Sequence, residues 1–304
     1  MSVENNQFKA ALNAMLDFKK NFALDTTNLG AGQIEMNSDS QQKALADLQQ
    51  ISDSGKESPI FNFLPLADFV QDMRSRLKDP NGVNQSHLNV CGAATFLRFW
   101  LIQAPENFVK TVFELYIHGR AKYKNVELVA NAEMYQQQTH LNKIDWLTAA
   151  SLQNAGGYLG YNPDSELGGL RGIALPSQVA HWLGALPRLT LEQVSTFPNI
   201  DTINQVFSQN GAVALLVNIN LLDDYFTNPS YRNAENNLKD KLVSFFGSIA
   251  GNHYIALDSV ISREGDNFRF HVWTWGISLE VLMPVDKVAA CINQVYLLRG
   301  DAIA

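Results

Sequence analysis

Cysteine is scarce in this sequence. Only Cys91 and Cys291 occur in 304 residues, too few for a disulfide framework, and their neighbourhoods do not suggest a pair. A reducing compartment is therefore the default expectation. Long apolar runs are missing as well. The longest run, residues 212–219, has the length of a strand, whereas a membrane span needs roughly 18 apolar residues or more, so no membrane span is expected.

Basic clusters and metal-binding motifs are also missing. The formal net charge is −7 and neither Lys nor Arg clusters, which argues against nucleic acid and anionic membranes as partners. The histidines show no HExxH spacing and no CxxC is present, so we expect no metal and no other cofactor. The first 16 residues lack a basic start followed by an apolar run. We therefore expect a cytoplasmic protein, or one exported by a specialised secretion system without a Sec signal.

What is present is an ordinary globular composition, because 46% of the residues are hydrophobic and this suffices for a substantial core. The exception is the N-terminal part, where residues 25–59 are rich in Ser, Gln, Asn, Asp and Gly. We expect residues 1–58 to form a polar, partly helical arm that docks only loosely, with helices near 8–22 and 41–51. The remaining residues, 59–304, are predicted to form the globular domain.

The hydrophobic periodicity changes along this domain. Helical spacing dominates the first two-thirds, and β-branched and aromatic runs dominate the last third, an order typical of an α+β fold. The predicted helices cover 61–77, 91–103, 106–118, 144–152, 176–184 and 285–292. The predicted strands cover 212–220, 253–261, 268–275, 277–282 and 295–298, with a turn at 263–266 joining two of them in a hairpin.

Cys91 is the first candidate functional residue, because it opens a long apolar helix directly after a turn-rich loop. The free N–H groups and the macrodipole at a helix N-terminus favour a thiolate, so we expect a lowered pKa for this cysteine. Gly92 keeps the first turn small and leaves room for a substrate carbonyl. Gln85 lies six residues earlier, where its amide and the backbone N–H of Cys91 would form an oxyanion hole.

A thiolate enzyme also needs a proton carrier, and His253 is the candidate. It stands in Gly251-Asn-His-Tyr-Ile-Ala-Leu257, at the start of an apolar strand that would hold the ring rigidly. A strand histidine that faces the start of a helix across a cleft gives a Cys–His pair from distant parts of the chain. The expected ion pair joins the Cys91 thiolate to a protonated His253.

Three motifs occur in the order Gln85-x5-Cys91-Gly, Gly251-x-His253 on a strand, and Trp275-Gly276 on the next strand. Together they resemble the papain-like cysteine peptidase superfamily, in particular its bacterial and effector-type branches. The longer strings that begin at Cys91, Glu114, Asp145 and Val272 resemble uncharacterised bacterial proteins of that kind. The resemblance covers about residues 80–300. It implies a papain-like catalytic domain over 59–304, in which a helical half carries Cys91 and an antiparallel sheet half carries His253.

The resemblance also implies the roles of the residues, with Cys91 as nucleophile, His253 as base and Gln85 as oxyanion donor. The family orients its histidine with an Asn or Asp from the following strand, and here Trp273 stands at the corresponding position. Strand alternation offers Thr274 instead, because it is predicted to face the same side as His253, while His271 faces the other side. Either Thr274 orients the histidine weakly, or the enzyme works as a dyad, or another residue completes it.

The predicted reaction is acyl transfer through a Cys91 thioester, with a peptide or protein amide as substrate. A cysteine peptidase or amidase is the first expectation. A deamidase or transglutaminase, acting as a bacterial effector or toxin, uses the same residues. The departure at the third position leaves a different class open, a non-enzymatic interaction protein on a decayed papain-like scaffold. The sequence predicts no oligomeric state.

Overall fold

The computed structural model describes residues 38–84, 90–135, 142–156, 174–222, 252–274 and 276–300, and helices predominate in the N-terminal half of this part. The α-helices are α1 (Ser38–Ser54), α2 (Leu66–Lys78), α3 (Cys91–Gln103), α4 (Pro105–His118), α5 (Lys143–Gly156), α6 (Pro176–Leu183), α7 (Ile200–Ser208) and α8 (Val285–Cys291). Among these described residues, no helix is both long and apolar enough to cross a membrane.

The strands are β1 (Arg120–Tyr123), β2 (Val126–Val129), β3 (Leu189–Val194), β4 (Ala212–Asn218), β5 (Asn252–Leu257), β6 (Ser262–Glu264), β7 (Asn267–Thr274), β8 (Ile277–Pro284) and β9 (Ile292–Gly300). β1 and β2 pair in a small hairpin. The main sheet has the order β3-β9-β4-β5-β7-β6, and β8 pairs with β7. Its pairs are all antiparallel. The fold is therefore mixed α+β, as the order of the sequence patterns predicts.

The two faces of the main sheet support two separate cores. Side chains that alternate along β4, β5 and β7 point to opposite faces. Leu216, Tyr254 and Trp273 belong to the first core, which the sheet shares with the helices of the N-terminal half. Ile255 and Val272 belong to the second core, on the opposite face, which is covered by α7 and α8. This division decides which candidate residues meet.

α3 is the central helix of the first core. Its residues 92–102 are all buried, which is typical of a helix that is apolar on every side and enclosed by other elements. It ends at Gln103 because Pro105 begins α4, where a missing N–H costs nothing. α3 packs directly on β5. The helix that begins at Cys91 therefore lies on the strand that carries His253.

The N-terminal segment packs more closely than its composition predicts. α1 lies against α2 and α4, and its Ala44, Leu48 and Ile51 are buried in the first core. The side chain of Gln41 also donates a 2.7 Å hydrogen bond to the carbonyl of Leu77. These contacts are tighter than the loose docking expected for this segment. The predicted boundary at residue 58 stays a prediction, and the helix predicted near 8–22 lies outside the described residues.

Candidate functional site

Cys91 is the first residue of α3, and its side chain is partly exposed where it packs against the first core. The next residue leaves almost no free space. A Cβ added to Gly92 would lie 2.7 Å from Val179 Cγ2 and 3.3 Å from Tyr254 Cδ2. Glycine at this position therefore allows the start of α3, α6 and β5 to approach one another closely.

The thiol of Cys91 stands in a balance between burial and hydrogen bonding. Burial raises the pKa of the Cys91 thiol, and this is the largest effect on it. The backbone N–H groups of Tyr254, Gly92 and Cys91 itself donate towards the sulfur and lower the pKa. The net direction is upward, so the resting side chain is a thiol. The structure thus differs from the thiolate expected at the helix N-terminus, because desolvation outweighs the three donors.

His253 and Thr274 are in direct contact. The imidazole Nε2 lies 2.6 Å from Thr274 Oγ1, and both side chains are about 1% exposed. Strand alternation predicts this pairing of faces, and the structure has it. The role of Thr274 stays a prediction. Burial lowers the pKa of His253 to about 3, so the resting imidazole is neutral. The environment therefore favours a thiol and a neutral imidazole over the expected ion pair.

Cys91 lies beside the backbone of β5 at the residue that follows His253. Its sulfur accepts a hydrogen bond from the N–H of Tyr254, so the peptide unit that joins His253 to Tyr254 lies against the thiol. The side chains of Cys91 and His253 lie on opposite faces of the sheet. Alternation along β5 turns Tyr254 towards α3 and Cys91, and it puts His253 with its cross-strand partner Val217 on the other face. Within the described residues, the polar contacts of the thiol are therefore to backbone N–H groups and not to the imidazole.

Gln85 lies outside the described residues, as does Trp275. The residue before Gln85 is firmly held, since the backbone N–H of Asn84 donates a 2.9 Å hydrogen bond to Asp145 Oδ2. The other oxygen of that carboxylate accepts a 2.7 Å bond from Arg76 Nε. Asp145 on α5 is 4% exposed, and burial raises its pKa while Arg76 lowers it.

A buried ion pair near the site escaped the sequence analysis. Arg98 Nη2 lies 2.5 Å from Asp258 Oδ1, with both residues almost fully buried. The signal was available, because Arg98 is the only charged residue of an otherwise apolar α3. A charge in such a helix requires a buried partner, and Asp258 directly follows the apolar strand β5.

The remaining candidates lie apart from this centre. His271 is on the face of β7 opposite Thr274, as alternation predicts, and its Nε2 lies 3.9 Å from Glu280 Oε2. Cys291 packs against the second core, on the far side of the sheet from Cys91.

Comparison with known proteins places the chain in no family. No protein-family model, no curated protein and no solved structure matches it.

Proposed function

We propose that this protein is a papain-like thiol hydrolase, a cysteine peptidase or amidase that cleaves a peptide or protein amide through a Cys91 thioester. The observation that carries the proposal is the setting of Cys91. A partly exposed cysteine begins a buried helix, three backbone N–H groups donate towards its sulfur, and it lies against the strand position next to a histidine. Such donors favour the thiolate that forms during attack.

His253 acts as the general base in this proposal. This role requires the tautomer in which Nε2–H donates to Thr274 Oγ1 and Nδ1 is the basic nitrogen. Because the resting pair is neutral, the proton leaves Sγ for Nδ1 as the sulfur attacks the amide carbon. For this transfer the imidazole must leave the face of β5 on which it contacts Thr274 and turn towards the thiol, a rearrangement that substrate binding would have to drive.

The rest of the reaction follows by balance of protons and bonds. The S–C bond forms, the carbonyl oxygen becomes an oxyanion, and the N–H of Cys91 together with the Gln85 amide stabilises it. The imidazolium returns its proton to the leaving nitrogen as the C–N bond breaks, which leaves a thioester and a free amine. Water, deprotonated by His253, then releases the acid and restores the Cys91 thiol.

The amide that Cys91 attacks and the acceptor in the second half of the reaction together decide the class of enzyme. Water with a backbone amide gives a peptidase, and water with a glutamine side chain gives a deamidase. A primary amine in place of water gives a transglutaminase, and the deamidase and the transglutaminase are the activities of the effector or toxin alternative. Acylation of Cys91 is common to all of these, so the proposal is tested on that step.

A non-enzymatic role on a papain-like scaffold is the second candidate, and one observation favours it. The side chains of His253 and Tyr254 point to opposite faces of β5, and the imidazole bonds Thr274 while the sulfur bonds the backbone. In a protein that only binds a partner, the imidazole and the thiol would stay apart and would contribute only to the packing of the fold. The two candidates differ in whether Cys91 becomes acylated.

The test uses p-nitrophenyl acetate, which acylates a reactive thiol whatever the natural substrate. We expect a burst of p-nitrophenol of about one equivalent and an acetyl group on the peptide that contains Cys91, read by mass spectrometry. His253→Ala should slow the burst by at least about a hundredfold, the scale of general-base catalysis. Cys291→Ser is the matched control and should leave the burst unchanged. Equal acetylation of both cysteines, or a burst indifferent to His253, would exclude the proposed enzyme.

A further inference from the structure

The buried ion pair of Arg98 and Asp258 lies at the centre of a network of polar contacts. Arg98 Nη2 reaches Asp258 Oδ1 at 2.5 Å and Arg98 Nε donates to Asn81 Oδ1 at 2.8 Å. The guanidinium lies 5.2 Å from the centre of the Trp273 ring, and Trp273 Nε1 donates to the carbonyl of Asn81 at 2.8 Å. The backbone N–H of Asp258 donates to the carbonyl of His271 at 2.8 Å.

This network joins the three elements that carry the candidate catalytic residues. Arg98 belongs to α3, which begins at Cys91. Asp258 directly follows β5, which carries His253. Trp273 belongs to β7 and is the neighbour of Thr274. We propose that the Arg98–Asp258 pair is a positioning device, which fixes the register of α3 on β5 and thereby holds the Cys91 sulfur against the peptide unit that joins His253 to Tyr254. The inference rests on the proposed function for its catalytic meaning.

The spacing along both elements supports this inference. Seven residues separate Cys91 from Arg98, which is about two helical turns and about 10 Å, so both project from one side of α3. Four residues separate Tyr254 from Asp258, which is about 13 Å of extended chain. Cys91 meets Tyr254 and Arg98 meets Asp258. The helix thus runs alongside the strand with one polar contact at its start and a second about two turns later, and two contacts define a register where one would leave the helix free to slide.

Because both members of the pair are charged and buried, only one alignment of α3 on β5 satisfies them. α3 is otherwise apolar, and apolar side chains tolerate small shifts because their contacts are not directional. A buried guanidinium and carboxylate do not tolerate them, because a displaced partner leaves an uncompensated charge. Arg98 also has two directional neighbours besides Asp258, namely the Asn81 oxygen and the Trp273 ring. Burial lowers the pKa of Arg98 and Asp258 raises it, so the carboxylate offsets part of the cost of burying the guanidinium.

The test compares variants of the pair with a variant that only destabilises the fold. Arg98→Met and Asp258→Asn remove one charge each, and Arg98→Lys keeps the charge but loses the planar fork. Phe270→Leu is the control, because Phe270 is buried on β7 in the second core, on the face turned away from α3. The readouts are Tm and the rate of the p-nitrophenyl acetate burst at Cys91, with the burst measured at a temperature where every variant is folded.

We expect Arg98→Met and Asp258→Asn to slow the burst at least about tenfold, since small displacements of reacting groups cost large factors in rate. Arg98→Lys should recover part of that loss. Phe270→Leu should lose a similar amount of Tm and keep the burst rate within about twofold. Burst rates that follow Tm equally in all variants would overturn the inference, because the pair would then be a stabilising contact only.

A second readout separates this inference from the proposed function. The amide of Tyr254 bonds the Cys91 sulfur, so its hydrogen exchange, followed by NMR, reports the register without any catalysis. If the wild-type protein shows no burst, the proposed function fails, and the register is judged by this amide alone. Faster exchange at Tyr254 in Arg98→Met, and not in Phe270→Leu, supports the positioning role. Unchanged exchange overturns it. If Arg98→Met does not fold, Arg98→Lys and Asp258→Asn carry the comparison.

Discussion

The neutral state of His253 has a measurable consequence for stability. Burial lowers the pKa of this imidazole from 6.5 to about 3, so the unfolded chain binds a proton in a pH range where the folded protein does not. Such a group stabilises the fold above the unfolded pKa, and the stabilisation is lost as the pH falls from about 6.5 towards 3. Between pH 7 and pH 5 the protonated fraction of the unfolded imidazole rises from about a quarter to nearly all, and integrating over this range lowers the free energy of unfolding by about 2 kcal/mol.

His253→Gln removes this titration and keeps a group that can bond Thr274 Oγ1. We expect the free energy of unfolding of the wild-type protein to fall by about 2 kcal/mol more than that of the variant between pH 7 and pH 5. Urea unfolding followed by the fluorescence of the five tryptophans measures both. Only the difference in pH dependence matters, because Asp145 and the other titrating groups are common to both proteins.

The sign of that difference distinguishes two resting states. In a thiolate–imidazolium pair the pKa of His253 would be raised. Acidification over the same range would then not lower the free energy of unfolding of the wild-type protein relative to that of the variant. The neutral pair would therefore be refuted if the free energy of unfolding had the same pH dependence in both proteins. It would also be refuted if the wild-type protein became more stable relative to the variant as the pH falls. If His253→Gln does not fold, NMR titration of the wild-type imidazole decides the question, because a neutral ring should keep its chemical shifts down to about pH 4.

Three further predictions follow from single contacts. Thr274→Ala should slow acylation about fivefold, since a neutral hydrogen bond contributes about 1 kcal/mol, and Thr274→Ser should not; a loss as large as that of His253→Ala would make Thr274 a full catalytic partner. Gly92→Ala should lower the free energy of unfolding by about 1–3 kcal/mol in urea because its Cβ meets Val179, and Val179→Ala should restore part of it. Leu48→Ala should cost about 2–5 kcal/mol, whereas a negligible loss would show that α1 docks loosely.

Local patterns predicted the elements of the fold well where strong signals bounded them. The helix predicted over 91–103 is α3 with the same bounds, because an apolar run meets Pro105 at its end. Alternation along β5 and β7 also found the contact of His253 with Thr274, since period-2 geometry needs only the order of residues. The β1–β2 hairpin, β3 and α7 were missed. β1 and β2 are only four residues each, too short to show a period.

Two expectations differ from the structure because they depend on tertiary context. The average composition of the segment before residue 59 is polar, yet Ala44, Leu48 and Ile51 recur at helical spacing and form a buried stripe. An average over a window hides three apolar residues that happen to share a face. Similarly, a cysteine at a helix N-terminus predicts a thiolate, but the sequence does not show how much apolar structure surrounds the sulfur. Desolvation is a property of the assembled core, and at Cys91 it is the larger effect.

A neutral resting pair places the selectivity of the proposed enzyme in the act of binding. A preformed thiolate reacts with any electrophile that reaches it, whereas the Cys91 thiol must lose its proton during attack, which requires that His253 approach it. The three N–H donors around the sulfur are already in place, so the movement needed is that of the imidazole, at the start of β5. The Arg98–Asp258 pair lies just beyond the opposite end of the same strand and is tied to β7. With that end fixed, binding energy from the substrate would act on the His253 end of β5 alone, and an amide that does not engage this end would meet only an unreactive thiol.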